Sequence, residues 1–289
     1  MTGAGTIQGL TVGRGAGAVS TNTAVGASVL ANGSNTGVDI VAVGRLALTA
    51  NSSGGYSVAV GSQASYSNTT GNSNVAVGYT ALYSNTTGSN NIAIGQQALQ
   101  ANTTASNNTA VGYQSLYSNI TGGQNTAFGQ GTLYSNTASE NTAFGRQAGY
   151  SNTSGTANVF MGLNTAYSNT TGSYNVALGY TALQANTTAS NNTAVGYQAA
   201  YASNVSSDSF GFQAHYQLTS GAGNAAFGLS AGYNITTGAR NTSIGNSAGA
   251  NSGTALTGSD NTALGYQAMT LTRGTAASNT AIGSQALLS

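Results

Sequence analysis

A phrase of the form Asn-Thr-Ala-Val-Gly returns through almost the whole sequence. Its glycine falls at positions 26, 44, 61, 78, 95, 112, 129, 145, 162, 179, 196, 211, 228, 245, 265 and 283. Ten of the fifteen intervals are 17 residues, and the others are 18, 16, 15, 20 and 18. Self-similarity at a short fixed period marks a repeat architecture, and this unit is too short for a propeller blade. It suits one coil of a solenoid, in which each unit contacts its neighbours and buries a continuous interior by stacking.

The unit from Asn108 to Gln124 shows the pattern. The residue before the glycine is apolar in all sixteen copies, as in Val25, Ile94, Val111, Phe128, Met161 and Ile282. Two before it is nearly always Ala, as in Ala76, Ala93 and Ala110; three before is mostly Val, Ile or Thr, and four before mostly Asn. The stretch from Asn108 to Val111 reads as a short strand, whose side chains alternate between two faces. Thr109 and Val111 share one face, and Asn108 and Ala110 the other. The glycine suits a corner with positive φ or a place too tight for a Cβ. A second short strand is expected after it, from Tyr113 to Tyr117, and then a turn-rich loop of the S-N-T-T-G-S-N kind.

The expected fold class is therefore all-β: a parallel β-solenoid (β-roll) of about sixteen 17-residue coils. Residues 1–20 read as an irregular N-terminal cap or connection, and residues 21–289 as the repeat domain. Coils about 4.8 Å apart would give a rod of roughly 75 Å. Stacking puts like residues above one another, so Asn51, Asn68, Asn85, Asn102, Asn119, Asn136, Asn152, Asn169 and Asn186 are expected to form an amide ladder.

Composition closes other routes. Charged residues are 3% of the chain, against about a quarter in ordinary soluble domains. The net charge of +1 gives no electrostatic footprint for nucleic acid. No run of apolar residues is long enough for a spanning helix. Met1 to Leu10 lacks the basic and apolar regions of a signal peptide. Cysteine is absent, which excludes disulfides and thiolate metal sites. The aspartate-bearing nonapeptide of calcium β-rolls is missing, and Gly13, Gly15 and Gly17 lack the strand-then-helix setting of a dinucleotide loop. No cofactor and no metal is expected.

Catalysis has little to stand on. The single histidine, His215, reads as a substituted ladder position, and its nearest acid in sequence is Asp208. The chain is expected not to be an enzyme. Fourteen of the sixteen tyrosines fall in two columns. Five residues past the glycine stand Tyr66, Tyr83, Tyr117, Tyr134, Tyr150, Tyr167, Tyr201, Tyr216 and Tyr233. One residue past it stand Tyr79, Tyr113, Tyr180, Tyr197 and Tyr266. Such columns either lock coil to coil or fill a seam between chains, or present a surface for sugar rings; the first reading is favoured. Asn-x-Thr triplets at Asn68, Asn85, Asn102, Asn169 and Asn186 match a glycosylation pattern but are explained by turn chemistry. Arg14, Arg45, Arg146, Arg240 and Arg273 read as isolated solubilising charges. Irregular spacings at 196–211 and 245–265 mark altered loops, which are candidate binding tips.

The strand has two apolar faces, and such a strand is usually covered on both. The thin Ala face suits a narrow coil interior. The bulkier face, left bare, would exceed the apolar patch a soluble monomer tolerates. Partner chains are expected to cover it, with three copies as the expectation for a fibre. The alternative is a wider monomeric coil whose interior holds the bulky face.

The phrases SNVAVGYTAL (73–82), NNIAIGQQAL (90–99), NNTAVGYQSL (107–116) and NVALGYTAL (175–183) resemble the head repeats of trimeric autotransporter adhesins (YadA-like heads) and related repeats of phage tail fibres. The resemblance covers about residues 20–289. It implies a left-handed parallel β-roll, three identical chains and attachment to a surface. The unit here is longer than the adhesin unit, through its N-T-T-G loop, and no coiled-coil stalk, neck or anchor is seen. That moves the expectation toward a phage or other appended fibre, or a head fragment. The expected function is a non-enzymatic structural and adhesive fibre protein, extracellular on a virion or cell surface. Its partners would be itself, as a homotrimer, and a host surface glycan or protein receptor, with no membrane insertion. The alternatives are an ice-binding solenoid, through Thr columns such as Thr69, Thr86, Thr103, Thr170 and Thr187, or a passive filament subunit.

Overall fold

A computed structural model describes residues 5–7, 10–250, 255–270 and 275–288. The chain divides into two compact units, Met1–Thr142 and Ala143–Ser289. Both are parallel β-solenoids, with about 17 residues per turn and no helix among the described residues.

The first unit holds β1 (Gly5–Ile7), β2 (Leu10–Gly13), β3 (Thr23–Val25), β4 (Val41–Val43), β5 (Val58–Val60), β6 (Val75–Val77), β7 (Ile92–Ile94), β8 (Thr109–Val111) and β9 (Thr126–Phe128). β1 and β2 form an antiparallel hairpin, and β2 pairs antiparallel with β3. The segment expected to be irregular thus carries two strands. From β3 to β9 every pairing is parallel, and equivalent residues meet: Ala76 stands beside Ala93, and Ala93 beside Ala110.

The division between the units falls within β10 (Thr142–Phe144), and the second unit holds β11 (Val159–Met161), β12 (Val176–Leu178), β13 (Thr193–Val195), β14 (Ser207–Phe210), β15 (Asn224–Phe227), β16 (Thr242–Ile244), β17 (Thr262–Leu264) and β18 (Thr280–Ile282). β11 to β18 pair in parallel, again with like residues side by side. Coil length varies without disturbing the strands. Thr193 pairs with Asp208 across 15 residues, and Thr242 with Thr262 across 20. The slack is taken up in the loops. Residues 251–254 and 271–274 lie outside the described residues.

The interior follows from the alternation. Ala42, Ala59, Ala76, Ala93, Ala110 and Ala127 are fully buried in the first unit, while both neighbours of each along the strand are half-buried or exposed. Opposite them Leu30, Leu48, Leu82, Leu99, Leu116 and Leu133 fill the coil. The bulky strand face therefore points outward, and the wider coil with that face inside is not formed.

No second strand follows the glycine. Residues 113–117 form turns, with Gln114 at φ 54° and Leu116 at φ 50°. The Gln114 N–H donates back to Gln96 O, and the Leu116 N–H donates forward to Thr132 O. Coil-to-coil bonding thus continues through a backbone too curved for a strand. Positive φ at a non-glycine residue costs on the order of 1–3 kcal/mol, and full burial of the leucine offsets a similar amount. The corner glycine has both of the reasons anticipated for it. Gly112 lies at φ 133°, and a Cβ there would meet Gly129 O at 2.5 Å. Gly15 and Gly17 likewise serve close approach, since a Cβ on either would strike Leu30 or Asn35.

The amide ladder is present. In the first unit Asn68 Nδ2 donates to Asn51 Oδ1, Asn85 to Asn68, and Asn102 to Asn85, each at 2.8 Å, and Asn119 donates to Asn102 at 3.2 Å. Each Nδ2 also donates to a carbonyl three residues on, as Asn85 does to Gly88 O. The step from Asn119 to Asn136 is interrupted: Asn136 Nδ2 donates to Ala138 O, and Asn119 Oδ1 has no partner. In the second unit Asn169 donates to Asn152 and Asn186 to Asn169, both at 2.7 Å.

A second amide column was not anticipated as a ladder. Asn74, Asn91, Asn108 and Asn125 are buried four residues before the glycine. Each Oδ1 accepts the backbone N–H of its successor, and each Nδ2 donates to a carbonyl of the next coil. The signal was in the sequence as a recurring Asn before each strand.

Candidate functional site

The outer surface of each coil carries the side chains that the interior cannot take. Three columns lie there: the residues three and one before the glycine, and the residue one after it. In the first unit Val41, Ile92 and Ile94 are exposed, and in the second Val176, Leu178, Ile244 and Leu264, each by roughly two-fifths. Next to them Tyr79, Tyr113, Tyr180, Tyr197 and Tyr266 are exposed by 42–51%. Each unit thus presents a row of apolar and aromatic side chains at the coil spacing. Scattered exposed apolar residues are ordinary, whereas a long row of them is not.

The nine tyrosines five past the glycine are all half-buried and all stacked. Tyr66 stacks on Tyr83 at 5.1 Å between ring centroids, and Tyr117 on Tyr134 at 5.0 Å. In the second unit Tyr150 stacks on Tyr167 at 5.2 Å. Tyr201, Tyr216 and Tyr233 form a run of three, at 5.1 Å each. Gln100 and Gln184 occupy the same column and interrupt it. The rings are near parallel, 2–18° apart, so neighbouring coils cover each other's faces. Stacking on a sugar needs a free ring face, and each of these rings has given at least one face to its neighbour in the column. Burial, then the neighbouring Tyr201 and Tyr233, raises the Tyr216 phenol above its usual range, so it stays a donor at neutral pH. In the other column Tyr180, Tyr197 and Phe212 stack at 5.3 and 4.9 Å.

The remaining candidates are placed as follows. His215 is fully buried, and its Nδ1 lies 2.9 Å from Ser209 Oγ. Asp208 points out from β14, on the opposite face of the strand from Ser209, so no acid–base pair forms. Asn68, Asn85, Asn102, Asn169 and Asn186 are buried at 1% exposure or less, which puts their sequons out of reach in the folded chain. The threonine hydroxyls donate to the next coil: Thr69 to Thr86 O, Thr86 to Thr103 O, Thr103 to Ile120 O and Thr170 to Thr187 O. Thr187 donates to Asn204 Oδ1. Each of these hydroxyl hydrogens is thus committed to a bond along the stack.

Arg240 is not isolated. Its guanidinium grips Asp260 with two bonds, at 2.7 and 2.8 Å. The bond to Arg240 holds the Asp260 carboxyl below its usual range. The two residues occupy equivalent positions, five before their glycines, and the 20-residue interval between them hides the match. Among the described residues no group of three or more His, Cys, Asp or Glu side chains is placed to hold a metal ion. Among them, too, no helix is long and apolar enough to cross a membrane. No family model, curated protein or solved structure matches the chain.

Proposed function

We propose that this chain is a non-enzymatic structural and adhesive fibre protein, of the kind found in phage tail fibres or surface-adhesin heads. In this reading three copies join through their outer apolar rows into a stiff rod, outside the cell, and the rod contacts a host surface. One observation carries it. The coil interior is filled by one chain alone, with Ala, Leu and paired amides, while Ile92, Ile94, Val176, Leu178, Ile244 and Leu264 stand outside it. Association is the ordinary way for a soluble protein to remove such a row from water, and closed cyclic symmetry is its usual form. The stacked tyrosines and the ladders add stiffness along the coil axis and leave the loops and polar faces to make contact.

Sedimentation of the purified chain tests the assembly, with an expected mass three times that of one chain. A monomer at all concentrations would end the trimer reading. Retention of labelled protein on intact cells tests attachment; protein that washes away from every surface tried would leave a passive filament subunit in its place.

A further inference from the structure

The column that holds Leu48, Leu82, Leu99, Leu116 and Leu133 in the first unit holds His215 in the second. An imidazole replaces an isobutyl group in a fully buried position. The neighbours have adjusted to it. Ser209 stands where other strands place Ala and meets Nδ1 at 2.9 Å. Gly232 fills the same column one coil on, and a Cβ there would touch the ring at 2.6 Å. The adjustment stops at one nitrogen, since His215 Nε2 has no hydrogen-bond partner.

The surroundings are apolar. Ala214, Ala226 and Ala231 form one buried cluster beside it, and Leu218, Ile235 and Leu256 form another. The ionisable groups on the adjoining elements all lie toward the outside. Asp208 is exposed on β14, Tyr201, Tyr216 and Tyr233 are in the outer stack, and Arg240 and Asp260 are exposed and paired with each other. None of them bonds the imidazole. A protonated ring would be a buried charge with one polar neighbour and no counterion, which is costly.

We propose that His215 is an acid-sensitive latch: its protonation opens the coils around residues 203–250 while the rest of the chain stays closed. With Nδ1 held by Ser209 and Nε2 without a partner, the closed coil offers nothing to stabilise a charged ring, so mild acidification favours the opened coil, where the ring is free to take the proton. Burial lowers the His215 pKa from 6.5 to about 3. The sign follows from the depressed value. The unfolded or opened chain binds a proton near pH 6.5 and the closed one does not. Closure is fully favoured above pH 6.5 and weakens as the pH falls toward 3. The chain has only four acidic residues, so little else competes in this window. Opening would bare the apolar column of Leu218 and Ile235.

Hydrogen exchange, corrected for the intrinsic effect of pH, tests this on the full chain. The amides of His215 and Ile235, which donate to Ala231 O and Gly232 O, are followed beside those of Leu99 and Leu116. The expected result is that opening at the first pair rises up to tenfold per pH unit between 6 and 4, with no such rise at the second. The double variant Ser209→Ala/His215→Leu, which restores the Ala and Leu found in other coils, should abolish the rise. An unchanged rise in that variant would overturn the proposal. Should the variant not fold, the wild-type protein still decides the matter: its single histidine gives one imidazole signal, and titration near pH 6.5 in the closed protein contradicts the latch.

Discussion

Two stretches of the molecule fill the same column of the coil with opposite chemistry. In the first unit the column seven past the glycine is Asn51, Asn68, Asn85, Asn102 and Asn119, joined side chain to side chain. In the second unit, after Asn186, the column passes through Ser203, Leu218 and Ile235, and Leu256 joins the last two in an apolar cluster. The strands pair in parallel in both. What the position requires is burial and size; the hydrogen bonds are one way to meet it. The two solutions differ in what they need locally. Amides accept and donate in fixed directions, so a ladder needs its side chains in register. Apolar packing is indifferent to direction. Coil length does not set that register: Asn51 donates to Asn35 across 16 residues at 2.8 Å, and Asn261 to Asn241 across 20 at 2.9 Å.

The comparison has limits that substitutions should find. The corner glycine belongs to both stretches, at φ 133° in Gly112 and 135° in Gly228. Gly112→Ala and Gly228→Ala should each unfold the surrounding coils, since strained φ adds to a clash with the next coil. Circular dichroism and limited proteolysis would show it; a folded alanine variant in either stretch would remove the steric reason for the repeat's glycine.

A smaller effect should separate the two columns. Asn85→Leu keeps the branched shape but strips Asn68 Oδ1 of its donor and an Asn102 N–H of its acceptor. Two unpaired buried groups cost on the order of 2–6 kcal/mol. Leu218→Asn places one amide among Leu and Ile and should cost on the order of 1–3 kcal/mol. Denaturant midpoints measure both, and a cost for Asn85→Leu no greater than that for Leu218→Asn would mean the ladder is passive filler. Smallest of all is Arg240→Ala. The Arg240–Asp260 pair is fully exposed, and its loss should leave the midpoint unchanged within error at physiological salt.

Much of this was legible in the repeat. Period, glycine corner, Ala interior and amide column all follow from like residues recurring at a fixed interval, because stacking turns sequence period into spatial contact. The run Tyr113–Tyr117 misled: its alternation resembles a strand, but a 17-residue coil has to close on itself, and the chain turns there through positive φ at Gln114 and Leu116. The pairing of Arg240 with Asp260 was hidden by the lengthened coil between them. The partner of His215 was hidden because the replacement of Ala by Ser at position 209 looks trivial until both are inside one coil.

The molecule also contrasts inside with outside. Its interior is closed by one chain, and its outer row of Val, Ile, Leu and Phe is not. Replacing Ile92, Ile94, Val176 and Leu178 by Asp, and measuring the native mass by sedimentation beside the wild type, tests that contrast directly. The wild type should sediment as a trimer, and the variant as a folded monomer with the same circular dichroism. A wild type that is already monomeric, or a variant that keeps the wild-type mass, would contradict the account.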